Sequence, residues 1–429
     1  MFRFSTLIAP LCLFSLALSG CVDQTPDLED DDELVGETAD ALTTSQITSY
    51  SASSFELPNG KKVVIVGNVL HAVFRSSGTI KYTSSTDGVT WTAPVTVDST
   101  PARDPSIAVA TDGTVMVAYV RNPISFAGTI HIARRPPLSL VFDPPFAITS
   151  TADANTSKNP SLVANGTTLH LAWSRATEIK YASFPSTQTS ALAAAENVYT
   201  TPGSAVYQAA MMVGPGPSGS IARIAFVETR PITPNPPHAP SGGLNLIIRE
   251  RGVSTWSQVY FDSGTFFSSM QLGSVSADVN PATGDAYVAV SRTIDGAPWT
   301  ALIHENTQTA GNAFSYNLLY PTTAPLVSVA ARTEGCQSRF RVVNSTPFSG
   351  HGTADYRTGA WTGGALTWIE GAPVSLPGTS RGGTSLLQSI PIPSSLSSRF
   401  FRGTYEEDVG ATYSLRDAYD IAPTPIPCN

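Results

Sequence analysis

The sequence predicts an all-β fold, and two observations carry that prediction. The chain of 429 residues contains 33 glycines and 33 prolines, so turn-forming residues are frequent. Only 14% of the residues are charged, well below the roughly 25% of an average soluble domain. Few charges and many turns disfavour coiled coils, helical bundles and basic nucleic-acid-binding proteins. We therefore expect short strands joined by turns, and no nucleic acid as a partner.

The first residues have the features of an export signal. Arg3 precedes the apolar run Leu7–Leu18, which is too short and too interrupted to span a bilayer, since a spanning helix needs about 20 apolar residues. We assign residues 1–20 to a signal peptide.

The junction Leu18-Ser19-Gly20-Cys21 resembles the lipobox of bacterial lipoproteins. That resemblance implies cleavage before Cys21 and acylation at its thiol, which would anchor the protein to a membrane without inserting it. In Gram-negative lipoproteins, an Asp directly after the cysteine favours retention in the inner membrane. This chain has Val22 at that position, so the resemblance implies the outer membrane, on either its periplasmic or its surface side. An ordinary signal peptide with an incidental cysteine is the alternative.

Acidic side chains are concentrated in the segment that follows. Nine of the 33 acidic residues lie within residues 1–42, against one basic residue, so the rest of the chain has equal numbers of both signs. The run Glu29–Glu33 repels itself and lacks apolar periodicity, which predicts disorder. We expect residues 21–45 to tether a neutral folded body, residues 46–429. A cleaved pro-segment ending near Ala41–Leu42 is the alternative.

A repeated pattern of about fifty residues organises the body. Each unit has an apolar run, a turn containing Gly, Asn or Asp, a second β-prone run that ends near an arginine, and a third strand. The clearest units are Val63–Tyr82, Pro105–Ile132 and Pro160–Tyr181, with weaker copies at Ile224–Arg230 and Tyr287–Arg292. The arginines recur at Arg75, Arg121, Arg175, Arg230 and Arg292, with spacings of 46, 54, 55 and 62 residues.

Four-stranded units that repeat at this length are typical of β-propellers. Two less regular units, near residues 324–373 and 383–421, bring the expected number of blades to seven, with six or eight left open. The segment Ile47–Leu57 precedes the first unit, and we expect it to supply the outer strand of the last blade. Such a strand would cover an otherwise exposed sheet edge.

One turn of the first unit carries a motif. The run Ser85-Thr86-Asp87-Gly88-Val89-Thr90-Trp91 resembles the Asp box, or BNR repeat, of sialidases and related propellers, Ser-x-Asp-x-Gly-x-x-Trp, although Gly88 comes one residue early. Asp bonds turn amides, Gly tolerates positive φ, and Trp packs between blades, so the resemblance implies a structural role for Ser85, Asp87, Gly88 and Trp91. Degenerate copies are expected at the equivalent turns in Gly252–Trp256 and Gly359–Trp361.

Cysteine and histidine usage predicts a disulfide and no metal or other cofactor. Cys12 would leave with the signal peptide and Cys21 would be acylated, so Cys336 and Cys428 remain for the folded body. A lone pair in an oxidising compartment predicts a disulfide, with two free thiols or metal ligands as alternatives. The six scattered histidines show no metal-ligand spacing.

The topology of a blade predicts which residues share a face. The start of the first strand, the end of the second and the start of the third lie together, whereas the Asp-box turn lies on the opposite face. The recurring arginines should therefore gather with Arg103-Asp104, Lys158-Asn159 and Tyr207-Gln208, which begin first strands. Arginine recognises carboxylate and sulfate groups bidentately, so a glycan is the expected ligand. The candidate ligand-binding residues are Arg75, Arg103, Arg121, Arg175, Arg230 and Arg292; ion pairs between blades or at the rim are their alternative role.

Two resemblances imply catalytic residues. The Arg-Ile-Pro motif of sialidases matches Arg103, although Asp104 replaces the Ile, and their Tyr/Glu nucleophile pair would match Tyr405 and Glu407. Five-bladed arabinanase-like hydrolases instead imply Asp104 as a base and Glu370 as an acid. Because this set is fragmentary, we expect a membrane-anchored propeller at the cell envelope that binds a glycan or acts as a scaffold for a protein. A sialidase-like or other glycoside hydrolase is the alternative.

Overall fold

The computed structural model describes nineteen stretches of the chain, and all of them belong to one compact unit, Asp40–Asn429. The described residues are 43–50, 59–124, 127–148, 156–192, 195–202, 205–216, 219–229, 244–264, 274–294, 297–305, 314–321, 326–334, 337–345, 354–362, 365–368, 372–375, 385–386, 402–408 and 413–419. Their regular elements are β-strands, and none of these stretches contains a helix long and apolar enough to cross a membrane. The expectation of an all-β fold is confirmed.

The strands follow one another in successive antiparallel groups, which we number in chain order. The first three groups are β2 (Val63–Val66), β3 (Val69–Ser76), β4 (Thr79–Ser85) and β5 (Val95–Asp98); β6 (Ala102–Val109), β7 (Val115–Ile124), β8 (Ala127–Arg135) and β9 (Phe146–Ala147); and β10 (Ser157–Asn165), β11 (Thr168–Arg175), β12 (Glu178–Pro185) and β13 (Glu196–Thr200). The second and third groups join into one sheet through a single residue pair, Gly128 and Ser157.

Three further groups have the same order of strands. They are β14 (Ala205–Gly216), β15 (Gly219–Thr229), β16 (Leu244–Arg251) and β17 (Trp256–Gly264); β18 (Val275–Val279), β19 (Ala286–Ile294), β20 (Ala297–Glu305) and β21 (Phe314–Pro321); and β22 (Leu326–Glu334), β23 (Gln337–Ser345), β24 (Ala354–Thr362), β25 (Ala365–Trp368) and β26 (Val374–Ser375). The seventh group contains β27 (Ser385–Leu386), β28 (Arg402–Asp408), β29 (Tyr413–Tyr419) and, from the other end of the chain, β1 (Thr43–Tyr50).

Strand β1 pairs antiparallel with β29, from Thr43 opposite Tyr419 to Tyr50 opposite Tyr413. It forms the outer edge of the seventh group, as the sequence predicted for the segment before the first unit. The strand begins at Thr43 rather than Ile47, three residues before the expected start of the folded body. It thereby covers the edge that β29 would otherwise expose.

Turn chemistry and apolar content explain why these strands form where the hairpins were predicted. In the third group, β10 and β11 are joined at Asn165-Gly166, where Gly166 has a φ of 62°, as a tight hairpin turn requires. In β3, β7 and β11, most side chains are buried on both faces of the strand. β-Branched and aromatic residues, which are frequent in these strands, pack well in such an environment.

Neighbouring groups have the same orientation. The amide of Ala102 at the start of β6 donates to Gly78 in the β3–β4 turn, and the amide of Val206 in β14 donates to Ala176 in the β11–β12 turn. From β18 to β22, Ser274 accepts from the amide of Val327 and Ser276 from that of Val329, so these first strands run parallel. Apolar clusters fill the spaces between successive groups; one example contains Tyr82 and Ile107.

One expected turn motif lies elsewhere. Gly359–Trp361 was predicted at a turn, but these residues lie inside β24, where Trp361 pairs with both Ser338 and Leu366. Gly359 is required there for packing, because a Cβ atom would approach the Phe340 ring to 2.4 Å. Gly252–Trp256 does occupy the turn between the third and fourth strands of its group, as predicted.

Candidate ligand-binding face

Three first strands begin with the same backbone irregularity. The pairing of β6, β10 and β14 with their second strands shifts where the chain passes Asp104, Asn159 and Gln208. These three residues have φ values of 51°, 54° and 52°, in the left-handed region that non-glycine residues rarely adopt. A strained conformation that recurs at equivalent positions indicates a common structural or functional requirement.

The bulges direct backbone carbonyls towards the segment Asn59–Lys62, which precedes β2. Asn59 Nδ2 donates to the carbonyls of Asn159 (2.9 Å) and Ala209 (3.1 Å), and Lys62 Nζ donates to that of Pro105. In return, the Asn59 carbonyl accepts from Ser161 Oγ at 2.9 Å. The carbonyl groups that the bulges expose are thus satisfied by one buried polar segment, which gives a physical reason for the strain.

Lys61 extends this segment to the fifth group. Its Nζ lies 3.3 Å from Oδ1 of Asp278, and the two side chains are 11% and 3% exposed. Burial raises the pKa of Asp278, while the charge of Lys61 opposes that rise. Sequence reasoning missed this segment, because Asn59-Gly60-Lys61-Lys62 has the composition of an exposed polar turn, and no local pattern distinguishes it from one.

The residue before each bulge contributes to a half-buried polar row, which consists of Arg103, Lys158 and Tyr207. Arg103 Nε lies 3.2 Å from Oδ2 of Asp104, and Lys158 Nζ lies 4.3 Å from the centre of the Tyr207 ring. Burial lowers the pKa of Lys158, whereas the nearby negative charge of Asp104 opposes this effect. Burial also raises the pKa of the Tyr207 phenol. The row runs across three neighbouring groups and presents cationic and aromatic side chains together.

Two of the recurring arginines have acidic partners, one in the preceding strand group and one within its own group, so the alternative role as an ion pair between groups applies to Arg121. Arg121 Nε lies 3.1 Å from Oδ2 of Asp98, and Arg175 lies 3.4 Å from Glu178. Both arginines lie beside the start of a first strand, since Arg121 pairs with Ala102 and Arg175 with Ser157. They therefore border the polar row, with much of their charge compensated.

Arg75 is half-buried near the end of β3. For Arg292, Tyr405 and Glu407 the structure describes only the backbone, in β19 and β28. Arg230, Glu370 and the cysteines Cys21, Cys336 and Cys428 lie outside the described residues.

The turn after β4 lies at the opposite end of β3 from Arg75, because Ser85 pairs with Leu70. Asp87 Oδ1 accepts from Ser85 Oγ (2.9 Å) and from the amides of Val89 (2.8 Å) and Thr90 (2.7 Å). These hydrogen bonds hold the pKa of Asp87 well below its usual range. Gly88 has a φ of 70°, and Trp91 packs on the apolar side chains of its own group. The turn is thus closed by side-chain and backbone hydrogen bonds.

No cluster of three or more His, Cys, Asp or Glu side chains within the described stretches is arranged to hold a metal ion. The described part of the face offers cations, an aromatic ring and amide groups. These groups can bind an anion or a sugar.

No protein-family model matches the chain, and no curated protein matches it. Solved structures are similar in fold. A polysaccharide lyase, an ulvan lyase, has 8% identity and a TM-score of 0.57, over 89% of this chain and 96% of the other. The WD40 domain of coronin from Toxoplasma gondii has 9% identity and a TM-score of 0.51, over 89% and 87%. Because WD40 repeats form β-propellers, the chain shares an all-β fold with propeller proteins.

Proposed function

We propose that residues 43–419 form a closed β-propeller of seven blades, which are the seven strand groups. Three observations support this: neighbouring groups have one orientation, β1 joins the last group to the start of the chain, and Asn59–Lys62 contacts four first strands at once. In this arrangement, the turn at Ser85–Trp91 is a variant Asp box on the face opposite the polar row. A disulfide between Cys336 and Cys428 remains part of the proposal.

We propose that this propeller binds an acidic polysaccharide without cleaving it. The observation that carries the proposal is the row of Arg103, Lys158 and Tyr207, because half-buried cations bind carboxylate or sulfate groups strongly and a tyrosine ring packs against a sugar. The recurring arginines, Arg75 and Arg121 among them, would extend the site. The lyase with a similar fold is named for its action on a polysaccharide, which agrees with a ligand of this class.

The environment of the carboxylates on this face favours binding without cleavage over hydrolysis. A glycosidase needs two carboxyl groups that flank the scissile bond. Asp98 and Glu178 are engaged by Arg121 and Arg175, and Asp104, 3% exposed, lies against Arg103. The described part of the face therefore offers no pair of accessible carboxyl groups.

Replacement of both cations of the row should weaken polysaccharide binding. We expect the chain to bind polygalacturonate or dextran sulfate, and Arg103→Gln/Lys158→Gln to lower the affinity by at least about tenfold, because each charged hydrogen bond contributes about 1.5–3 kcal/mol. The affinity is measured by affinity electrophoresis, with neutral dextran as the negative control.

Lys81→Gln is the matched control, since Lys81 lies on β4 and bonds Thr96 at an exposed position. Unchanged affinity in the double variant would contradict the site. Release of reducing ends or unsaturated sugars by the native chain, abolished by Asp104→Asn, would establish an enzyme instead.

We also propose that Cys21 is the acylated N-terminus of the mature protein and anchors it to the outer membrane. The lipobox-like junction supports this proposal. Cys21→Ser should leave the precursor uncut or release the protein from the membrane fraction, as measured by fractionation and by the mass of the N-terminal peptide. Wild-type membrane attachment in that variant would overturn the proposal.

A further inference from the structure

The largest exposed apolar side chains of the described residues are concentrated in one kind of turn. Leu138 and Val253 are 103% and 101% exposed, Leu140 82%, Val141 65% and Val89 51%. All five lie in turns between the third and fourth strands of the first, second and fourth groups. Single exposed apolar residues are ordinary, but the five most exposed ones share equivalent turns of several groups, and only Phe261 of the large exposed apolar residues in the described stretches lies on a strand.

These turns lie at one end of the strands. The β4–β5 turn is next to the start of β3, as the pairing of Ser85 with Leu70 shows, and the β8–β9 turn is next to the start of β7, where Arg135 pairs with Val115. The second and third groups contact each other at this end, because Arg134 Nε donates to the carbonyl of Ser186 at 2.9 Å. The polar row lies at the other end. We call the end with these turns the apolar face.

The charges of these turns indicate what the apolar face contacts. Residues 85–94, 136–145 and 252–255 contain two charged side chains, Asp87 and Asp143, and no cation. Asp143 pairs with Arg134 at 2.8 Å, and Asp87 is bound by its own turn. The arginines that border these turns already have partners, since Arg134 pairs with Asp143, Arg251 with Glu196, and Arg135 donates to the Tyr82 hydroxyl. Such a surface has little to attract an anionic partner, whereas leucine and valine side chains favour transfer from water into an apolar phase.

The start of β1 lies at the equivalent end of its own group. Thr43 pairs with Tyr419, the last residue of the third strand β29. The chain that precedes Thr43 therefore joins the body at this end. Cys21 is 22 residues earlier, which limits its distance from Thr43 to about 75 Å. A membrane anchor at Cys21 would keep the apolar face near lipid at a high effective concentration, so that weak insertion is enough to orient the body.

We propose that the apolar face docks on the lipid surface, with Leu138, Leu140, Val141, Val253 and Val89 inserted among the headgroups, and that the polar row consequently faces away from the membrane. This inference rests on the proposed anchor and on the proposed closed ring. It adds the orientation of the folded body relative to the membrane, which neither of those proposals specifies. Because the turns lack cations, docking needs no anionic lipid.

The experiment uses the chain from residue 21 onwards with Cys21→Ser, which is the proposed mature protein without acyl chains. Its partition onto phosphatidylcholine vesicles is measured by sedimentation at low and high salt. We expect salt-insensitive binding, a loss of about tenfold or more in Leu138→Ser/Leu140→Ser, and a gain in Val253→Trp. Phe261→Ser is the control, because Phe261 is 39% exposed on β17, away from the turns. Thermal melts check that each variant is folded.

Each possible result either supports or overturns the proposed docking surface. Absence of vesicle binding by both the native chain and Val253→Trp would overturn the docking surface. Binding lost equally in Phe261→Ser would also overturn it. Self-association that Leu138→Ser/Leu140→Ser abolishes, without vesicle binding, would assign the face to a second copy. Failure of the anchor would appear separately, in the mass of the N-terminal peptide, and failure of glycan binding in the electrophoresis.

Discussion

At the scale of residues, the same trio of histidine, tyrosine and arginine occurs at two boundaries between strand groups. His71 Nδ1 lies 2.7 Å from the Tyr82 hydroxyl, and Arg135 of the next group lies over the Tyr82 ring. His170, Tyr181 and Arg251 repeat this arrangement two groups later, with a His–Tyr distance of 2.8 Å. Burial, assisted by the neighbouring arginine, lowers the pKa of each histidine to about 4.

These histidines should make the fold sensitive to acid. Each of these histidines has a pKa of 6.5 in the unfolded chain and of about 4 in the folded chain, so the unfolded chain binds more protons between these pH values. The free energy of unfolding therefore falls as the pH drops from about 6.5 to about 4, and it is unaffected above this range. At pH 4, His71 alone should lower the free energy of unfolding by about 3 kcal/mol relative to neutral pH. The free energy of unfolding, measured against pH, should fall less steeply in His71→Gln. Tyr82→Phe keeps the imidazole buried and should retain the slope; an equal slope in His71→Gln would refute this account.

At the scale of elements, single strands and turns were predictable because their signals are local. The hairpins around Asn165-Gly166 and Thr111-Asp112-Gly113 and the third strand from Glu178 lie where the sequence placed them. The misplaced motif, Gly359–Trp361, shows the limit. A glycine next to a tryptophan resembles a turn, but this glycine makes room for Phe340, a neighbour on another strand. Contacts distant in sequence override local signals.

Strand β1 provides a test of how one element contributes to the whole sheet. A chain that begins at residue 51 lacks β1 and leaves β29 as an open edge, so we expect its Tm to fall by at least about 5 °C and aggregation to increase. A chain that begins at Thr43 is the matched control and should melt like the longer protein. Equal melting of both truncations would show that β1 does not close the last group.

At the scale of the whole molecule, the sequence by itself determined the all-β class, the repeat, the strand that returns to the last group and the turn at Asp87. Each depends on residues within one unit or on a period along the chain. Only the tertiary structure decided which cations are compensated, since Asp98 reaches Arg121 from the neighbouring strand group and Glu178 reaches Arg175 across a hairpin. It also decided the burial of Asn59–Lys62 and the pair of Lys61 with Asp278, 217 residues later. A local pattern specifies how a backbone turns, whereas the partner of a buried charge is set by the packing of groups distant in sequence.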